Sequence, residues 1–332
     1  MYTLVLQSFG RENEYKRAVL TVLSYYSYTS LPHDEVKVIL FTDMPEYFKA
    51  YFNDLPVEYI LLTPEKVKAM RGKIDFLHRM KIAMIEEAFG KLKGNMLYAD
   101  SDTFFIADPT DMLNKVSEEV SFMHLKEYEF SQLKSLSLWA GKTFSAFADL
   151  IELKAFELPG GRTLKVTPAH ASWNAGVMFF HPSHARFIPD VYALTDQFYP
   201  ETGNHASEQY AFSIILSDYT RLSSCDDVIF HYWYSVKKQI VDAFLKKKFS
   251  KEWPFMLLDE KLSEVKKWTR MLPDYMQNHT LMLKDNAIQA FNKDCFSEAY
   301  KWTFKAVLKS PLGDKRFYKD VMYHTKRKVF SK

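Results

Sequence analysis

The chain has 332 residues, which is long enough for one large domain and a smaller one. Hydrophobic residues make up 47% of it and aromatic residues 16%, which excludes a disordered chain and indicates a packed globular protein. The net charge of +3 conceals a basic tail, because residues 301–332 hold ten Lys and Arg against two Asp.

Cysteine usage and hydropathy indicate the compartment. Cys225 and Cys295 are the only cysteines, which argues against a disulfide scaffold and fits a reducing environment. No stretch approaches the length of a membrane span, and the N-terminus enters a strand without a signal-peptide pattern. We therefore expect a cytoplasmic protein.

The first third of the chain alternates predicted strands with predicted helices. Apolar runs predict strands over residues 3–7, 36–41, 57–62 and 95–99, and helical spacing predicts helices over 15–26 and 73–89. This alternation is typical of an α/β fold with a mainly parallel sheet flanked by helices. Every predicted strand ends in polar residues, which would then lie at one edge of the sheet.

Two carboxylates, Asp100 and Asp102, follow the strand 95–99 directly. In an extended backbone they project to the same side, and an open α/β sheet binds its ligand at this end of its strands. Such a pair supplies the oxygen ligands of a hard divalent cation, although Asp is also common in helix caps and turns. We expect Asp102 to be an exposed carboxylate at the strand end.

The middle of the chain is less informative. Residues 108–160 are predicted to be mostly helical and to form packing or an acceptor wall. Two strand-like runs follow, over 172–181 and 228–234, with helices over 186–199 and from Ser207, a plausible cap. The second run contains His231, and a lone histidine beside aromatic residues is more often a core residue than a ligand.

The C-terminal part is predicted to be an appended helical region. A basic run at 246–251 precedes it, and residues 287–311 resemble one tetratricopeptide-type helix pair. We therefore predict a catalytic domain over 1–250 and a helical, basic region over 251–332.

Together, residues 1–240 resemble the nucleotide-sugar glycosyltransferases of the GT-A fold, especially the retaining family eight that includes glycogenin and bacterial lipopolysaccharide galactosyltransferases. The resemblance is carried by ordered segments, namely Arg79 with Lys81, the Asp-x-Asp segment 97–102, Asn174-Ala175-Gly176-Val177, Glu208-Gln209, and His231 with Lys237. Glu208 departs from the usual Asp. Tyr234 stands where family members often have Gly between the His and the Lys, which leaves Lys238 as an alternative to Lys237.

The resemblance implies transfer of a sugar from a nucleotide-diphosphate sugar, a UDP-sugar first, to a glycan or lipid-linked saccharide. Asp100, Asp102 and His231 would hold Mn²⁺ or Mg²⁺, and an imidazole ligand favours Mn²⁺. The implied catalytic residues are Gln209 at the reactive face of the sugar, Glu208 at its hydroxyls, and Asn174 at the sugar with room left by its small neighbours. The implied donor-binding residues are Asp43 for the base or ribose, Arg79, Lys81, Ser101, Gly176 and Lys237.

Three other functions are compatible with parts of this pattern. A sugar-phosphate nucleotidyltransferase usually has a Gly-rich loop after its first strand, and residues 7–11 offer only one Gly. A carbohydrate-binding protein without turnover would be expected to lose its metal ligands first. Nucleic-acid binding by the basic tail lacks a recognition motif, so we expect no nucleic-acid partner.

The tail itself suggests a peripheral contact with an anionic membrane, on the inner face of which the enzyme would meet its acceptor. Basic residues gain about 1 kcal/mol each near an anionic leaflet, and aromatic rings favour the interface. The aromatic residues of this tail are Trp302, Phe304, Phe317, Tyr318, Tyr323 and Phe330. The alternative is that the charges are the solvated face of a helical cap.

Overall fold

The computed structural model describes residues 2–52, 55–311 and 314–330, with the side chains of residues 139–140 and 329–330 left out. The strands are β1 (Tyr2–Ser8), β2 (Val36–Thr42), β3 (Val57–Leu61), β4 (Met96–Ala99), β5 (Thr103–Phe105), β6 (Val120–Met123), β7 (Lys126–Glu129), β8 (Phe156–Leu158), β9 (Arg162–Leu164), β10 (Ala171–Trp173), β11 (Val177–Phe180), β12 (Arg221–Ser224) and β13 (Ile229–His231). The helices are α1 (Glu12–Tyr28), α2 (Pro45–Phe52), α3 (Pro64–Arg71), α4 (Arg79–Phe89), α5 (Thr110–Lys115), α6 (Leu133–Ala140), α7 (Lys142–Leu153), α8 (Ile188–Thr202), α9 (Ser207–Tyr219), α10 (Ser235–Lys248), α11 (Leu258–Gln277), α12 (Thr280–Asn292), α13 (Phe296–Lys309) and α14 (Lys315–Phe330).

A seven-stranded, mainly parallel sheet forms the centre of the N-terminal part. Its strand order is β12-β6-β11-β4-β1-β2-β3, and β11 alone runs antiparallel to its two neighbours. All residues of β4 and β11 are buried, as expected where helices cover both faces of a sheet. The predicted α/β architecture with a mainly parallel sheet is confirmed.

Local sequence signals explain how the helices begin and end. Thr63 caps α3, because its side-chain oxygen accepts a hydrogen bond from the Lys66 N–H, and Pro64 occupies the first helical turn. Gly203 ends α8 in the left-handed conformation, where the absence of a Cβ removes the steric cost. The predicted cap at Ser207 is wrong. Ser207 is the first residue of α9. Asn204 Oδ1 instead accepts a hydrogen bond from the N–H of Ala206, the residue before the helix.

Several predicted elements have different bounds or types in the structure. The predicted helix 73–89 begins at Arg79, because residues 72–78 form turns after α3. The segment 108–160 contains the expected helices α5, α6 and α7, and also the strands β6 and β7, which the pattern did not predict. These strands have four residues each, so their alternation is too short to be distinguished from helix by pattern alone.

The antiparallel strand β11 brings distant segments together at one edge of the sheet. Its first residue, Val177, lies opposite Ala99, the last residue of β4, so the segment before β11 faces the segment after β4. A separate ladder pairs β5 with β13 and places His231 opposite Thr103. A third short ladder pairs β7 with β10.

The chain forms two compact units. The first comprises Met1–His231 and Pro254–Val265, and the second comprises Tyr232–Trp253 and Lys266–Lys332. The second unit is helical, as predicted for the C-terminal region. Its packing includes the rings of Phe244, Phe249, Trp253 and Trp268 and a cluster around Leu283, Ala287, Ala306 and Phe317. Among the described residues, no helix is both long and apolar enough to cross a bilayer.

Candidate functional site

Asp100, Asp102 and His231 meet where the first unit's β4, β5 and β13 end or begin. Each offers one ligand atom, and these atoms lie within 4.8 Å of one another. The distance from His231 Nε2 to Asp102 Oδ1 is 3.3 Å. Two carboxylate oxygens and one imidazole nitrogen form a donor set that fits a divalent cation such as Mn²⁺.

The two aspartates converge for a different reason from the one expected. Residues 100–102 form a turn between β4 and β5 rather than an extended strand, and the Thr103 hydroxyl donates to the Asp100 carbonyl oxygen at 2.8 Å. The expectation of an exposed Asp102 is wrong, because only 6% of this residue is accessible. Burying a carboxylate is costly unless a charge or hydrogen bonds compensate for it, so its position against His231 argues for a specific role.

Lys81 places a buried positive charge beside this cluster. Its Nζ lies 3.3 Å from Asp100 Oδ2, 3.4 Å from Glu208 Oε1 and 3.0 Å from the Ala175 carbonyl oxygen. Burial acts to lower the pKa of Lys81, but the two carboxylates outweigh burial and raise the pKa above its ordinary value. The ammonium therefore stays charged and neutralises part of the acidic cluster.

Asn174 holds the imidazole of His231 in one orientation. Asn174 Oδ1 accepts from the Gly176 N–H at 3.0 Å, which identifies this atom as the amide oxygen. The same oxygen lies 2.8 Å from His231 Nδ1, so Nδ1 carries the proton and donates. The Nε2 lone pair is then directed to the side where Asp102 lies, as a metal-ligating histidine requires.

Gly176 leaves space for His231 rather than for a ligand in this structure. A Cβ at position 176 would stand 2.0 Å from His231 Cε1. The Gly176 carbonyl oxygen also accepts from the Asp100 N–H at 2.7 Å, which joins the segment before β11 to the acidic turn. Gly176 is therefore needed for the close approach of three chain segments.

Glu127 is a site residue that the sequence did not reveal. Its Oε1 accepts from Asn174 Nδ2 at 3.0 Å, and its Oε2 accepts from Gln209 Nε2 at 2.8 Å and from the Ser172 hydroxyl at 3.1 Å. It lies on β7, inside the segment predicted to be helical. The β7–β10 ladder, which is a tertiary pairing, brings it to Asn174 and Gln209.

Gln209 and Glu208 open helix α9 next to this network. Gln209 Oε1 accepts from the Ala175 N–H at 3.2 Å, so both ends of its amide are engaged. Glu208 is buried, with Oε1 near Lys81 and with Oε2 lacking a hydrogen-bond partner among the described residues. A buried carboxylate oxygen without a partner is rare and indicates a position that a ligand group can complete.

Asp43 and Ser101 connect the same edge of the sheet to α1. Asp43 accepts from the Gly10 N–H at 3.0 Å and from the Tyr15 hydroxyl at 2.8 Å. Burial, together with the hydrogen bond to Asp43, raises the pKa of Tyr15 to about 12. The Ser101 hydroxyl donates to Glu14 Oε2 at 3.2 Å.

The remaining two predicted donor-binding residues have partners of their own. Arg79 forms a two-point ion pair with Asp196 of α8, at 2.7 and 3.1 Å, and stacks over Tyr192. Lys81, two residues later on α4, points to the acidic cluster instead. Lys237 belongs to the second unit, where its ammonium lies over the ring of Trp233 and burial lowers its pKa.

Comparisons with known proteins give structural similarity without sequence similarity. No family model matches the chain, and no curated protein matches it either. Similar solved structures include mouse xyloside xylosyltransferase 1, at 11% identity and a TM-score of 0.44, with coverage of 68% of this chain and 84% of that chain. The galactosyltransferase LgtC, in complex with donor and acceptor sugar analogs, is 11% identical with a TM-score of 0.45, and 81% of this chain covers 99% of it.

The glycosyltransferase GlyE of Streptococcus pneumoniae is 12% identical with a TM-score of 0.45. The match covers 80% of this chain but 63% of GlyE, so this chain spans less than two thirds of that protein. All three similar structures are glycosyltransferases. Each of these three TM-scores is below 0.5, so the similarity by itself assigns no function to the chain.

Proposed function

We propose that the chain is a metal-dependent glycosyltransferase that moves a sugar from a nucleotide-diphosphate sugar, a UDP-sugar first, to a glycan or lipid-linked saccharide. The observation that carries the proposal is the convergence of Asp100, Asp102 and His231, with ligand atoms within 4.8 Å of one another, from segments far apart in the sequence. Chance proximity of acidic groups on a surface does not bury two of the three side chains.

Within this proposal the three side chains would hold Mn²⁺, or Mg²⁺, and the nucleotide diphosphate. When bound, such an ion supplies Lewis-acid stabilisation of the charge on a departing diphosphate. Lys81 adds a fixed positive charge beside Asp100, and Asn174 holds the His231 imidazole with Nε2 towards Asp102. Arg79 and Lys237 remain candidates for further phosphate contacts, with Lys238 as an alternative to Lys237.

The sugar is proposed to meet the polar network on the other side of the cluster. Glu208 Oε2 offers an acceptor for a sugar hydroxyl, and Gln209, at the reactive face, is held in place by Glu127 and Ser172. Asp43, with Tyr15, is the candidate for the base or ribose. Among the described residues, Asn174, Gln209 and Ser172 donate to Glu127, so its role in this proposal is to orient Asn174 and Gln209.

We also propose that the transfer retains the anomeric configuration of the sugar, as in the family-eight enzymes that the sequence resembles. Double displacement would need a carboxylate nucleophile, and Glu208 is a buried candidate whose Oε2 has no hydrogen-bond partner within the described part of the chain. The anomeric configuration of the product, read by proton NMR before mutarotation, tests this part separately.

The deciding experiment is a thermal-shift screen of nucleotide-sugars with and without Mn²⁺, followed by measurement of released UDP. A donor that binds the folded state raises the melting temperature by mass action. At a donor concentration of about 100 times its Kd, the free energy of unfolding rises by about 2.7 kcal/mol. We expect stabilisation by a UDP-sugar that requires Mn²⁺, and UDP release that Asp102→Asn abolishes without lowering the melting temperature of the free protein.

Three outcomes would contradict the proposal. Stabilisation by sugars without UDP release in any acceptor mixture would indicate a carbohydrate-binding protein. Release of pyrophosphate from a nucleoside triphosphate and a sugar phosphate would indicate a nucleotidyltransferase. Near-normal transfer by Asp102→Asn in Mn²⁺ would show that the acidic pair is structural.

A further inference from the structure

Helix α13 of the second unit carries a row of apolar side chains that the described part of the chain leaves exposed. Tyr300, Phe304 and Leu308 are four residues apart and therefore adjacent on the helix surface. Phe304 is 66% exposed and Leu308 is 68% exposed, while Tyr300 at the edge of the row donates its hydroxyl proton to Thr325. Contiguous exposed apolar side chains on a soluble protein mark an interaction surface.

A row of lysines runs beside the apolar row along the same helix. Each residue of the apolar row is followed directly by an exposed lysine, namely Lys301, Lys305 or Lys309. Lys305 Nζ lies 4.7 Å from the centre of the Trp302 ring, and Lys309 Nζ donates to the Asn278 carbonyl oxygen at 2.7 Å. The two rows together occupy the solvent half of the helix.

The other half of α13 is already packed. Ala299 and Ala306 are buried, and Ala306 shares a cluster with Leu283 and Ala287 of α12 and with Phe317 of α14. The packing of the helix pair therefore does not use the exposed rows. An amphipathic helix whose polar face is rich in Lys and whose exposed apolar face carries Phe and Leu has the composition of an interfacial helix.

We propose that this face of α13 is the surface by which the protein docks onto an anionic lipid bilayer. The apolar row inserts among the acyl chains near the headgroups, and the lysine row binds the anionic headgroups that flank it. Residues four apart rise about 6 Å along a helix, so each row spans about 12 Å in the plane of the membrane.

The charge pattern favours a lipid surface over a second copy of the chain. A two-fold contact between apolar rows would bring the lysine rows of both copies together, and like charges repel. Helix α13 carries three lysines against one acidic residue, Glu298, and Asp294 before the helix pairs with Arg327. The surface therefore presents positive charge to its partner.

The structure narrows the membrane contact that the tail composition suggested. Phe317 is buried and Tyr318 is half-buried, so these rings belong to the packing of the unit. The Phe330 side chain lies outside the described residues. Phe304 is the most exposed ring of α13, and Tyr323 of α14 is also exposed, so the contact is centred on α13 and leaves room for α14 beside it.

Vesicle co-sedimentation of the full chain tests the proposal. We expect binding to phosphatidylcholine vesicles that contain phosphatidylglycerol, weak binding to pure phosphatidylcholine, and a steep fall with salt. Lys301→Gln with Lys305→Gln should weaken binding about thirtyfold, since each lysine contributes about 1 kcal/mol. Phe304→Ser with Leu308→Ser should weaken it at least about tenfold, because the inserted apolar area is lost.

Matched controls separate this surface from general charge and hydrophobicity. Leu153→Ser removes an apolar side chain that is 84% exposed on α7, and Lys142→Gln removes an exposed lysine from the same helix. Both should bind vesicles like the natural protein. All variants should keep their melting temperatures and their Mn²⁺-dependent UDP binding, so failure here is distinguishable from failure of the glycosyltransferase proposal.

Other occupants of the surface would appear as other results. Equal binding to neutral vesicles, no binding to anionic ones, or retained binding by both double variants would each overturn the proposal. A dimer in sedimentation velocity that Phe304→Ser dissociates, without vesicle binding, would identify the surface as a contact between copies.

Discussion

Gly176 and His231 are packed so closely that a methyl group at position 176 would overlap the imidazole ring. The Cβ would stand 2.0 Å from His231 Cε1, a distance that real contacts essentially never show. We therefore expect Gly176→Ala to displace His231 and to remove most Mn²⁺-dependent UDP binding, by at least about tenfold. Isothermal calorimetry of UDP with Mn²⁺ measures this.

Gly90→Ala is the matched control for that substitution. Gly90 has a negative φ, and a Cβ there would meet its neighbours at an ordinary 3.5 Å. It should leave UDP binding unchanged. If Gly176→Ala also binds UDP normally, or if His231→Ala lowers the melting temperature without changing UDP affinity, His231 is a core residue and not a ligand.

Asn174 is expected to act on the metal through His231. Asn174→Leu removes the oxygen that fixes the imidazole, and loss of such a partner typically costs about 10- to 100-fold in metal affinity. Asn174→Asp keeps an acceptor for His231 but loses the donor to Glu127. Calorimetric titration with Mn²⁺ should therefore show a smaller loss for Asn174→Asp than for Asn174→Leu. Equal losses would indicate that the bond to Glu127 matters instead.

Lys81→Met should destabilise the protein, because it leaves Asp100 and the buried Glu208 facing each other without a cation. Removing one partner of a buried ionic group costs about 3–5 kcal/mol in the free energy of unfolding. Urea denaturation should show this loss, and Mn²⁺ should recover part of it by neutralising Asp100. Lys91→Met breaks an exposed pair with Glu58 that solvent screens, so its cost should be much smaller. Similar losses for the two variants would contradict the ionic role of Lys81.

The pair of His170 and Asp218 should make stability depend on pH. Their hydrogen bond, at 3.1 Å, raises the pKa of His170 above 6.5, although partial burial opposes this. A raised folded-state pKa gives a contribution that is complete below the ordinary value and is lost as pH rises through the raised one. The difference in unfolding free energy between the natural protein and His170→Gln should therefore be larger at about pH 6 than at about pH 9.

That difference should stay below about 1 kcal/mol, because Asp218 is about one-third exposed. A double-mutant cycle with Asp218→Asn isolates the coupling, which should vanish at high pH. A coupling that grows as pH rises would contradict protonation of His170 as its source.

Features that depend on residues close together in the chain could be predicted from the sequence. The apolar run before Asp100 predicted β4, and the polar ends of β1 to β4 lie at one edge because these strands are parallel, as expected. The predicted ligand atoms of Asp100, Asp102 and His231 lie together. Their roles stay predictions until metal binding is measured.

The features that sequence could not supply depend on tertiary pairing. Glu127 lies on a four-residue strand whose partner, β10, follows only after α6, α7, β8 and β9. The sequence predicts room for a sugar beside Gly176, and nothing near Gly176 in the chain shows that the His231 ring lies against it. The sequence also predicts that Arg79 binds the donor, and it gives no local signal for the ion pair that Arg79 forms with Asp196 of another helix.

The short ladder between β5 and β13 links ligand binding to the opening of one part of the first unit. It has three residue pairs, and the chain leaves the unit directly after His231. Such ladders open with less free energy than the whole fold, and their amide protons then exchange with solvent. Because Asp100 and Asp102 precede β5 and His231 ends β13, a ligand shared by these side chains would close the ladder. The protection of these amides from hydrogen exchange would then rise with the fraction of sites that hold the ligand.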